Sequence, residues 1–216
     1  MSKLRATMAI SLDGFGAGPD QSVDTALGVG GERLHEWMIP LAVFREMHGE
    51  DGGEGEVNAS TAVVRGWWEN MGAVVMGRNM FGGGPGPWRG DWRGWWGENP
   101  PYHYPVFVLT HHARPPLEME GGTTFHFVTD GIEAALERAV EAAAGKDVII
   151  GGGASTAQQY LRAGLVDELE VHVSPVLLGG GERLFDDIGG GTAGLELVEL
   201  VASPAVAHYR FARSGA

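Results

Sequence analysis

The chain has 216 residues, of which 36 are glycine and none is cysteine, and its formal net charge is −13. The missing cysteines exclude a disulfide framework, an iron–sulfur cluster, a thiolate zinc site and a cysteine nucleophile, and they fit a reducing cytoplasm. The acidic charge disfavours a nucleic-acid partner, and no apolar run approaches the ~18 residues of a membrane span, so we expect a cytoplasmic protein without a membrane partner. Its length predicts one domain over residues 1–216.

The first half of the chain predicts two strands with helices and loops between them. Alternating apolar residues predict a strand over residues 3–11, which ends at the turn signal Asp13-Gly14. A short periodic stretch over residues 34–47 predicts a helix, and an acidic, glycine-rich loop follows it. Apolar residues at helical spacing predict a second helix over residues 57–71, with Gly72 as its stop, and the run over residues 73–76 predicts a buried strand.

Residues 82–101 form an unusual segment that combines four tryptophans with many glycines and prolines, a composition that excludes a regular helix or strand. We interpret it as a loop. It is either a lid that closes over a flat heterocycle, or a cover over the core or a subunit contact. The tryptophans are Trp88, Trp92, Trp95 and Trp96.

The second half of the chain predicts strands that alternate with helices and then a hairpin. The predicted strands cover residues 106–109, 123–128, 148–150 and 168–174, the helices cover residues 132–143 and 154–163, and the hairpin strands cover residues 195–201 and 205–211. Asp130 is the predicted cap of the first of these helices. This order predicts a mainly parallel α/β sheet with antiparallel strands at its end. His172 and His208 lie on strands, where we expect surface or satisfied structural side chains.

The strand over residues 148–150 runs into three glycines at a predicted helix start, which indicates a phosphate or pyrophosphate cradle. Residues without side chains let a phosphate approach the backbone, and the first helical turn offers free N–H groups and a positive dipole end. The alternative is a tight turn with glycine for close packing. The residues concerned are Gly151, Gly152, Gly153, Ala154, Ser155 and Thr156.

Two further turns follow predicted strands. Gly77 and Arg78 offer backbone N–H groups and a forked guanidinium to a phosphate, although an arginine on a solvated turn would look the same. Thr110 and His111 offer a hydroxyl and an imidazole to a 2′-phosphate or an adenine face. A metal site is disfavoured because the adjacent histidines lack helical spacing.

These turns, in this order and followed by the closing hairpin, resemble the dihydrofolate reductase superfamily. The segments over residues 11–14 and 177–181 make the chain most similar to the riboflavin-biosynthesis reductase-domain branch and to small stand-alone bacterial proteins of the dihydrofolate reductase family. The resemblance implies an α/β, dihydrofolate reductase-like three-layer fold. Its central sheet would be mostly parallel, with an antiparallel C-terminal hairpin.

The resemblance also implies an NADPH site across the carboxyl ends of the strands. Gly77 and Arg78 would lie at the cofactor phosphates, Thr110 and His111 at the adenosine 2′-phosphate, and residues 151–156 at the pyrophosphate. The chain departs from the family where it has His111 and His112 instead of arginine or lysine. It also has Ile150 where the riboflavin branch tends to have an acidic residue, which argues against the riboflavin-pathway substrate itself.

The proton donor is the least defined part of the predicted site. In folate-reducing members a carboxylate near the helix before the Gly-Arg strand assists protonation, and this neighbourhood holds Glu50, Asp51, Glu54 and Glu56. The alternative is a solvated acidic loop. Asp13 is a second candidate, with an Asp-Gly turn as its alternative.

The resulting hypothesis is an NADPH-dependent reductase that transfers hydride to a small planar heterocycle of the pterin, pyrimidine or flavin-precursor kind. The alternative is a non-catalytic nucleotide-binding or structural dimer that kept the cofactor scaffold. We also expect a homodimer that forms through the late strands and the tryptophan loop.

Overall fold

A computed structural model describes residues 2–49, 51, 53–191 and 193–214. Eleven strands are present among them: β1 (Leu4–Ser11), β2 (Phe15–Ala17), β3 (Met71–Gly77), β4 (Pro105–Leu109), β5 (Leu117–Glu118), β6 (Thr124–Val128), β7 (Asp147–Ile150), β8 (Glu168–Ser174), β9 (Glu182–Arg183), β10 (Leu195–Ser203) and β11 (Val206–Arg213). The helices are α1 (Ala42–Met47), α2 (Ala59–Gly66), α3 (Arg78–Phe81), α4 (Ile132–Ala142) and α5 (Ala154–Arg162), with short 3₁₀ turns at Gly31–Leu34 and Glu120–Gly122.

One nine-stranded sheet organises the chain, in the order β10-β11-β8-β1-β7-β3-β4-β6-β5. The strands from β8 to β6 run parallel, whereas β10, β11 and β5 are antiparallel to their neighbours. The central strands β3 and β7 are buried along their whole length, as expected of apolar runs covered on both faces. The predicted parallel sheet and terminal hairpin are therefore confirmed.

Helices and loops cover both faces of this sheet and make three layers. Ala139 of α4 and Tyr160 of α5 pack against Ala6, Val75 and Ile150 on one face. The alternate residues of the same strands, such as Val74 and Ile149, point to the other face. That second face is covered by α1, α2 and the segments around Trp37 and Tyr102.

The helix predicted over residues 57–71 is shorter than its apolar spacing indicated. Asn58 caps α2, and its side chain and that of Thr61 form a reciprocal capping box. The helix ends at Gly66, and Met71 already belongs to β3 because it pairs with Asp147 of β7. Gly72 is therefore a strand residue, and its role as a helix stop was wrong.

Two other helix predictions also need correction. The helix expected over residues 34–47 is confined to α1, because a 3₁₀ turn and a series of turns precede it. Asp130 does not cap α4, since the N-cap is Gly131, which has a φ of 94°. The carboxylate of Asp130 accepts a 2.6 Å hydrogen bond from Nη2 of Arg138.

The tryptophan loop over residues 82–101 packs against the core. Trp96 stacks on the buried Phe125 with ring centroids 5.9 Å apart, and Nε1 of Trp92 donates to the Phe81 carbonyl at 3.0 Å. Nε1 of Trp88 donates to the carbonyl of His112 at 2.7 Å. These contacts favour the covering loop over the lid.

None of the helices in the described residues combines the length and the apolar character that crossing a bilayer requires.

Candidate functional site

The carboxyl ends of β3, β4 and β7 enclose a cleft of about 280 Å³. Parallel strands bring their following turns to one edge of the sheet, which is where ligands of open α/β sheets bind. The structure thereby brings together most of the residues predicted for the cofactor. The cleft is lined by Gly77, Arg78, Thr110, His111, Gly153, Ser155 and Thr156, together with Asn79, Pro85, Gly86, His112 and Glu182.

The two glycine turns are joined directly to each other by backbone hydrogen bonds. The N–H of Gly77 donates to the carbonyl of Gly152 at 2.8 Å, and the N–H of Gly151 donates to Val75 at 2.9 Å. A Cβ atom on Gly77 would overlap Oγ1 of Thr156, so the close approach requires glycine. Gly152 has a φ of 118°, which also favours glycine.

The N-terminus of α5 faces the cleft without a side-chain cap. Gly153 is the N-cap residue, and its carbonyl already accepts from the N–H groups of Thr156 and Ala157. The earlier N–H groups, those of Ala154 and Ser155, have no acceptor within the helix, and an anion satisfies such groups well. Ser155 is exposed, whereas Ala154 is buried behind it.

Glu182 at the rim of the cleft introduces the one carboxylate among the described lining residues. Its Oε1 lies 3.4 Å from Nδ2 of Asn79, which donates to it. A carboxylate at this place repels a phosphate but accepts hydrogen bonds from sugar hydroxyls. The cleft thus offers N–H donors on the α5 side and a hydroxyl acceptor at its rim.

Arg78 carries a positive charge into the cleft, but its N–H groups already have partners. Nε donates to the carbonyl of Gly82 at 3.1 Å and Nη2 to that of Gly84 at 2.9 Å, while Nη1 lies 3.4 Å from Oγ1 of Thr110. Its Cζ lies 3.2 Å from the centre of the Trp88 ring, which is a close cation–π contact. Arg78 therefore fastens the tryptophan loop to the cleft and acts on an anion through its charge.

Thr110 and His111 differ in what they present to a ligand. Thr110 is buried, and its hydroxyl accepts from the N–H of His112 at 3.1 Å. The side chain of His111 is exposed at the mouth of the cleft. His111 is therefore the member of this pair that can reach a group bound outside the cleft.

A second cavity, of about 250 Å³, adjoins the cleft on the α2 side of the sheet. Gly151 lines this cavity and Gly153 lines the cleft, so the glycine turn separates the two spaces. The sheet supplies Thr7 and Ala9 of β1 as the floor, and the walls include three tryptophans, four methionines and three histidines. Sequence reasoning missed this cavity.

His172 lines the apolar cavity and belongs to a buried hydrogen-bonded chain. Its Nδ1 lies 2.8 Å from Nδ1 of His208, and Nε2 of His208 lies 2.8 Å from Oγ of Ser60 on α2. Burial lowers the pKa of His172 to about 3 and that of His208 to about 4, so both imidazoles are neutral at pH 7. Both side chains are buried, so the surface alternative was wrong for them.

Three nitrogens in side chains that line this cavity have no hydrogen-bond partner among the described residues. They are Nδ1 of His35, Nε1 of Trp67 and Nε2 of His172. Burial also lowers the pKa of His35, which therefore contributes a neutral imidazole. Buried polar atoms are normally paired, so an unpaired one at a cavity wall is available to pair with a bound ligand.

Glu170 lies one pleat away from His172 on the same face of β8. Its Oε2 is buried without a hydrogen-bond partner and lies 4.0 Å from Nε2 of His172. Burial raises the pKa of Glu170, although the charges of Arg5 and Arg210 oppose the shift. Glu170 is therefore a buried acid of the kind expected of a proton donor, which the sequence predicted in the loop before α2.

The two predicted proton donors, Asp13 and Glu56, lie elsewhere. The carboxylate of Asp13 accepts from the N–H groups of Leu178 at 3.1 Å and Gly179 at 2.8 Å. Hydrogen bonds, chiefly that to Ser11, lower the pKa of Asp13 to about 2, so it holds no proton at neutral pH.

Glu56 has an exposed side chain, and only its backbone is engaged, with Pro40 and Ala42. Neither Asp13 nor Glu56 lines the apolar cavity. Of the other loop carboxylates, Asp51 and Glu54 are exposed, and Glu50 lies outside the described residues.

The parallel sheet and its edge cleft define an α/β protein of the dihydrofolate reductase-like fold. Dihydrofolate reductase from Enterococcus faecalis, solved with NADP(H), is 16% identical over 98% of this chain and 96% of its own, with a TM-score of 0.54. A protein from Shewanella sp. PV-4 assigned to riboflavin biosynthesis is 22% identical over 99% of both chains, with a TM-score of 0.60. These similarities confirm the expected fold.

The model of the RibD C-terminal domain matches residues 2–209, and the chain therefore belongs to that family. Its members are reductases, so the chain is an oxidoreductase, as the resemblance implied. Acinetobacter baumannii RibD shares the fold at 15% identity over 98% of this chain and 58% of its own, with a TM-score of 0.54. The uncharacterized protein YyaP of Bacillus subtilis is 46% identical over 44 residues, which are 20% of this chain and 23% of that protein.

Proposed function

We propose that the protein is an NADPH-dependent reductase that holds the dinucleotide in the cleft and a planar heterocyclic substrate in the apolar cavity. The observation that carries the proposal is the glycine turn after β7, because Gly153 lines the cleft and Gly151 lines the cavity. A dinucleotide whose pyrophosphate lies at the N-terminus of α5 reaches both spaces across this turn.

The residues of the cleft fit the dinucleotide. The uncapped N-terminus of α5 supplies N–H donors for the pyrophosphate, and Arg78 adds positive charge. Glu182 supplies an acceptor for ribose hydroxyls. His111, exposed at the mouth, is the residue that would meet the 2′-phosphate of NADPH.

Reduced nicotinamide supplies a hydride, which the protein must match with a proton. Burial raises the pKa of Glu170, which favours a proton on its carboxyl, and Nε2 of His172 lies 4.0 Å away at the cavity wall. With its Nδ1–H donated to His208, a neutral His172 can take the Glu170 proton at Nε2 and pass it to the acceptor. The apolar walls exclude water from the acceptor.

The experiment is a titration with NADPH and NADH that follows tryptophan fluorescence. Ser155→Asp places a carboxylate at the exposed first turn of α5, where it favours the helix but repels a bound pyrophosphate. Gln159→Glu, on the exposed face of the same helix, is the control with the same change of charge. We expect saturable binding, tighter for NADPH, that Ser155→Asp weakens at least tenfold and Gln159→Glu retains. Absence of binding at millimolar nucleotide, or equal binding by Ser155→Asp and the wild type, contradicts the proposal.

We also propose a homodimer that forms through the edge strand β10. Leu197, Val198 and Leu200 are each more than half exposed on this nine-residue edge, and an apolar edge strand of this length readily pairs with another chain. Light scattering at micromolar concentration tests this. A monomeric mass contradicts it, and replacing Leu197 and Leu200 with lysine should produce the monomer.

A further inference from the structure

The wall of the apolar cavity carries no charged side chain. Among the described residues that line it there is no arginine, lysine, aspartate or glutamate. Its polar groups are the hydroxyls of Thr7 and Tyr102, the indole nitrogens and the imidazoles of three histidines. A substrate with a phosphate or carboxylate inside the cavity would lose its hydration without gaining an opposite charge, which is strongly unfavourable.

The cations of the groove that neighbours the cavity are already paired. A groove on the same face of the sheet, lined by α2, β1, β8, β10 and β11, holds Lys3, Arg5 and Arg210. Nζ of Lys3 lies 2.6 Å from Oε1 of Glu168, Nη1 of Arg5 lies 3.8 Å from Oδ2 of Asp147, and Nε of Arg210 lies 2.9 Å from Oε2 of Glu199.

The groove as a whole is acidic. Its described lining contains those three cations and five carboxyl groups, which are Glu69, Asp147, Glu168, Glu170 and Glu199. Four carboxylates remain without Glu170, whose raised pKa favours its neutral form. His172 lines both the groove and the cavity, so the two spaces are neighbours. An anionic substituent that projected from the cavity into this groove would meet like charge.

The unpaired nitrogens show what the cavity can recognise. Nδ1 of His35 and Nε2 of His172 are buried without partners, and both imidazoles are neutral because burial lowers their pKa. A neutral imidazole donates with one nitrogen and accepts with the other, so it pairs with carbonyl oxygens, ring nitrogens and N–H groups. Trp37 and Trp67 supply flat apolar surfaces beside them.

We infer that the substrate is an uncharged planar carbonyl or imine compound of one or two rings, without phosphate or carboxylate. Its heteroatoms pair with His35 and His172, and its ring lies among the tryptophans and methionines. The volume of about 250 Å³ lies below the ~300 Å³ at which typical ligand pockets begin, so a long charged tail has no place inside. The inference rests on the proposed function only in naming this compound as the hydride acceptor.

The reduction balances with the groups already named. The hydride forms a new C–H bond at the carbon of the C=O or C=N group, whose π electrons move to the heteroatom. The heteroatom takes one proton from the His172 side, so the compound gains two electrons and the nicotinamide is oxidised.

The test measures binding to the protein without cofactor, by calorimetry, for two probes that differ by one carboxylate group. We expect pterin to bind and pterin-6-carboxylate to bind at least tenfold more weakly. His35→Phe keeps an aromatic ring but removes the nitrogens, and it should weaken pterin binding about tenfold. His126→Phe, half-buried on β6 and outside both the cavity and the cleft, should leave binding unchanged.

A gain of charge gives an independent readout. Met38 is half-buried at the cavity wall, and Met38→Lys should improve the binding of pterin-6-carboxylate relative to pterin. Equal binding of the two probes by the wild type, or no binding of either at millimolar concentration, overturns the inference. Because no nucleotide is present, probe discrimination and the NADPH titration of Ser155→Asp can fail separately.

Discussion

The buried histidine pair makes the protein's stability depend on pH in a way that can be calculated. An unfolded histidine has a pKa near 6.5, so it is about 24% protonated at pH 7 and about 97% protonated at pH 5. In the folded protein burial holds the pKa of His172 at about 3 and that of His208 at about 4, so both stay neutral over this range. Since only the unfolded state binds the protons, each histidine lowers the free energy of unfolding by about 2 kcal/mol between pH 7 and pH 5.

The pair together should therefore reduce the free energy of unfolding by about 4 kcal/mol on acidification from pH 7 to pH 5. Burial shifts the pKa of His35 in the same direction and adds to this loss, whereas the raised pKa of Glu170 acts against it. Urea unfolding followed by tryptophan fluorescence at both pH values measures the change.

A variant with one titrating group fewer isolates the effect. His208→Leu should lose about 2 kcal/mol less than the wild type between pH 7 and pH 5, because His172 alone then remains of the pair. His111→Gln replaces an exposed histidine and should show the wild-type loss. A wild-type loss below about 1 kcal/mol, or the same loss in His208→Leu, would refute the assignment of neutral buried imidazoles.

Two further predictions concern single hydrogen-bonded groups. Tyr160→Phe removes the 2.8 Å hydrogen bond from the Tyr160 hydroxyl to the Ile132 carbonyl. It should lower the free energy of unfolding by about 1–2 kcal/mol, or Tm by several degrees in calorimetry. Tyr209 is half-buried and its hydroxyl makes no hydrogen bond within the described chain, so Tyr209→Phe should change Tm little. Asp13→Asn removes a carboxylate whose pKa of about 2 lies below the ordinary 3.8, so the stability that this carboxylate adds is present above pH 3.8 and is lost as the pH falls towards 2. Hydrogen exchange at the Gly179 N–H should be faster in the variant at neutral pH. Unchanged exchange would contradict a stabilising role for the hydrogen bond from Gly179 to Asp13.

The parts of the fold that sequence reasoning predicted are those in which a local pattern has one physical solution. Three apolar residues over 148–150 followed by three glycines require a buried strand and a turn without side chains, and the structure has both. The cleft at the sheet edge followed from the rule that parallel strands end at one edge. The Gly77 turn and the Gly153 turn therefore meet as expected.

The apolar cavity was missed because alternation shows which residues share a face and not what covers that face. Leu169 and Val171 were placed inward, which left His172 on the opposite face of β8, where a surface or satisfied structural side chain was expected. Trp37 and α2 cover that face, and nothing local in the sequence pairs them with β8. The available signal was that His172 lies on the polar face of β8, opposite His208 of the neighbouring strand.

The place of β1 in the sheet also determines how late during synthesis this strand can pair with its neighbours. β1 leaves the ribosome well before its partners β7 and β8, which begin at Asp147 and Glu168. Both edges of this apolar strand must therefore wait for more than 130 residues of chain. Contacts so distant along the chain slow folding, and the nascent chain exposes an unpaired strand throughout that time. A cell that makes this protein must keep β1 from pairing with other chains until β7 and β8 have emerged.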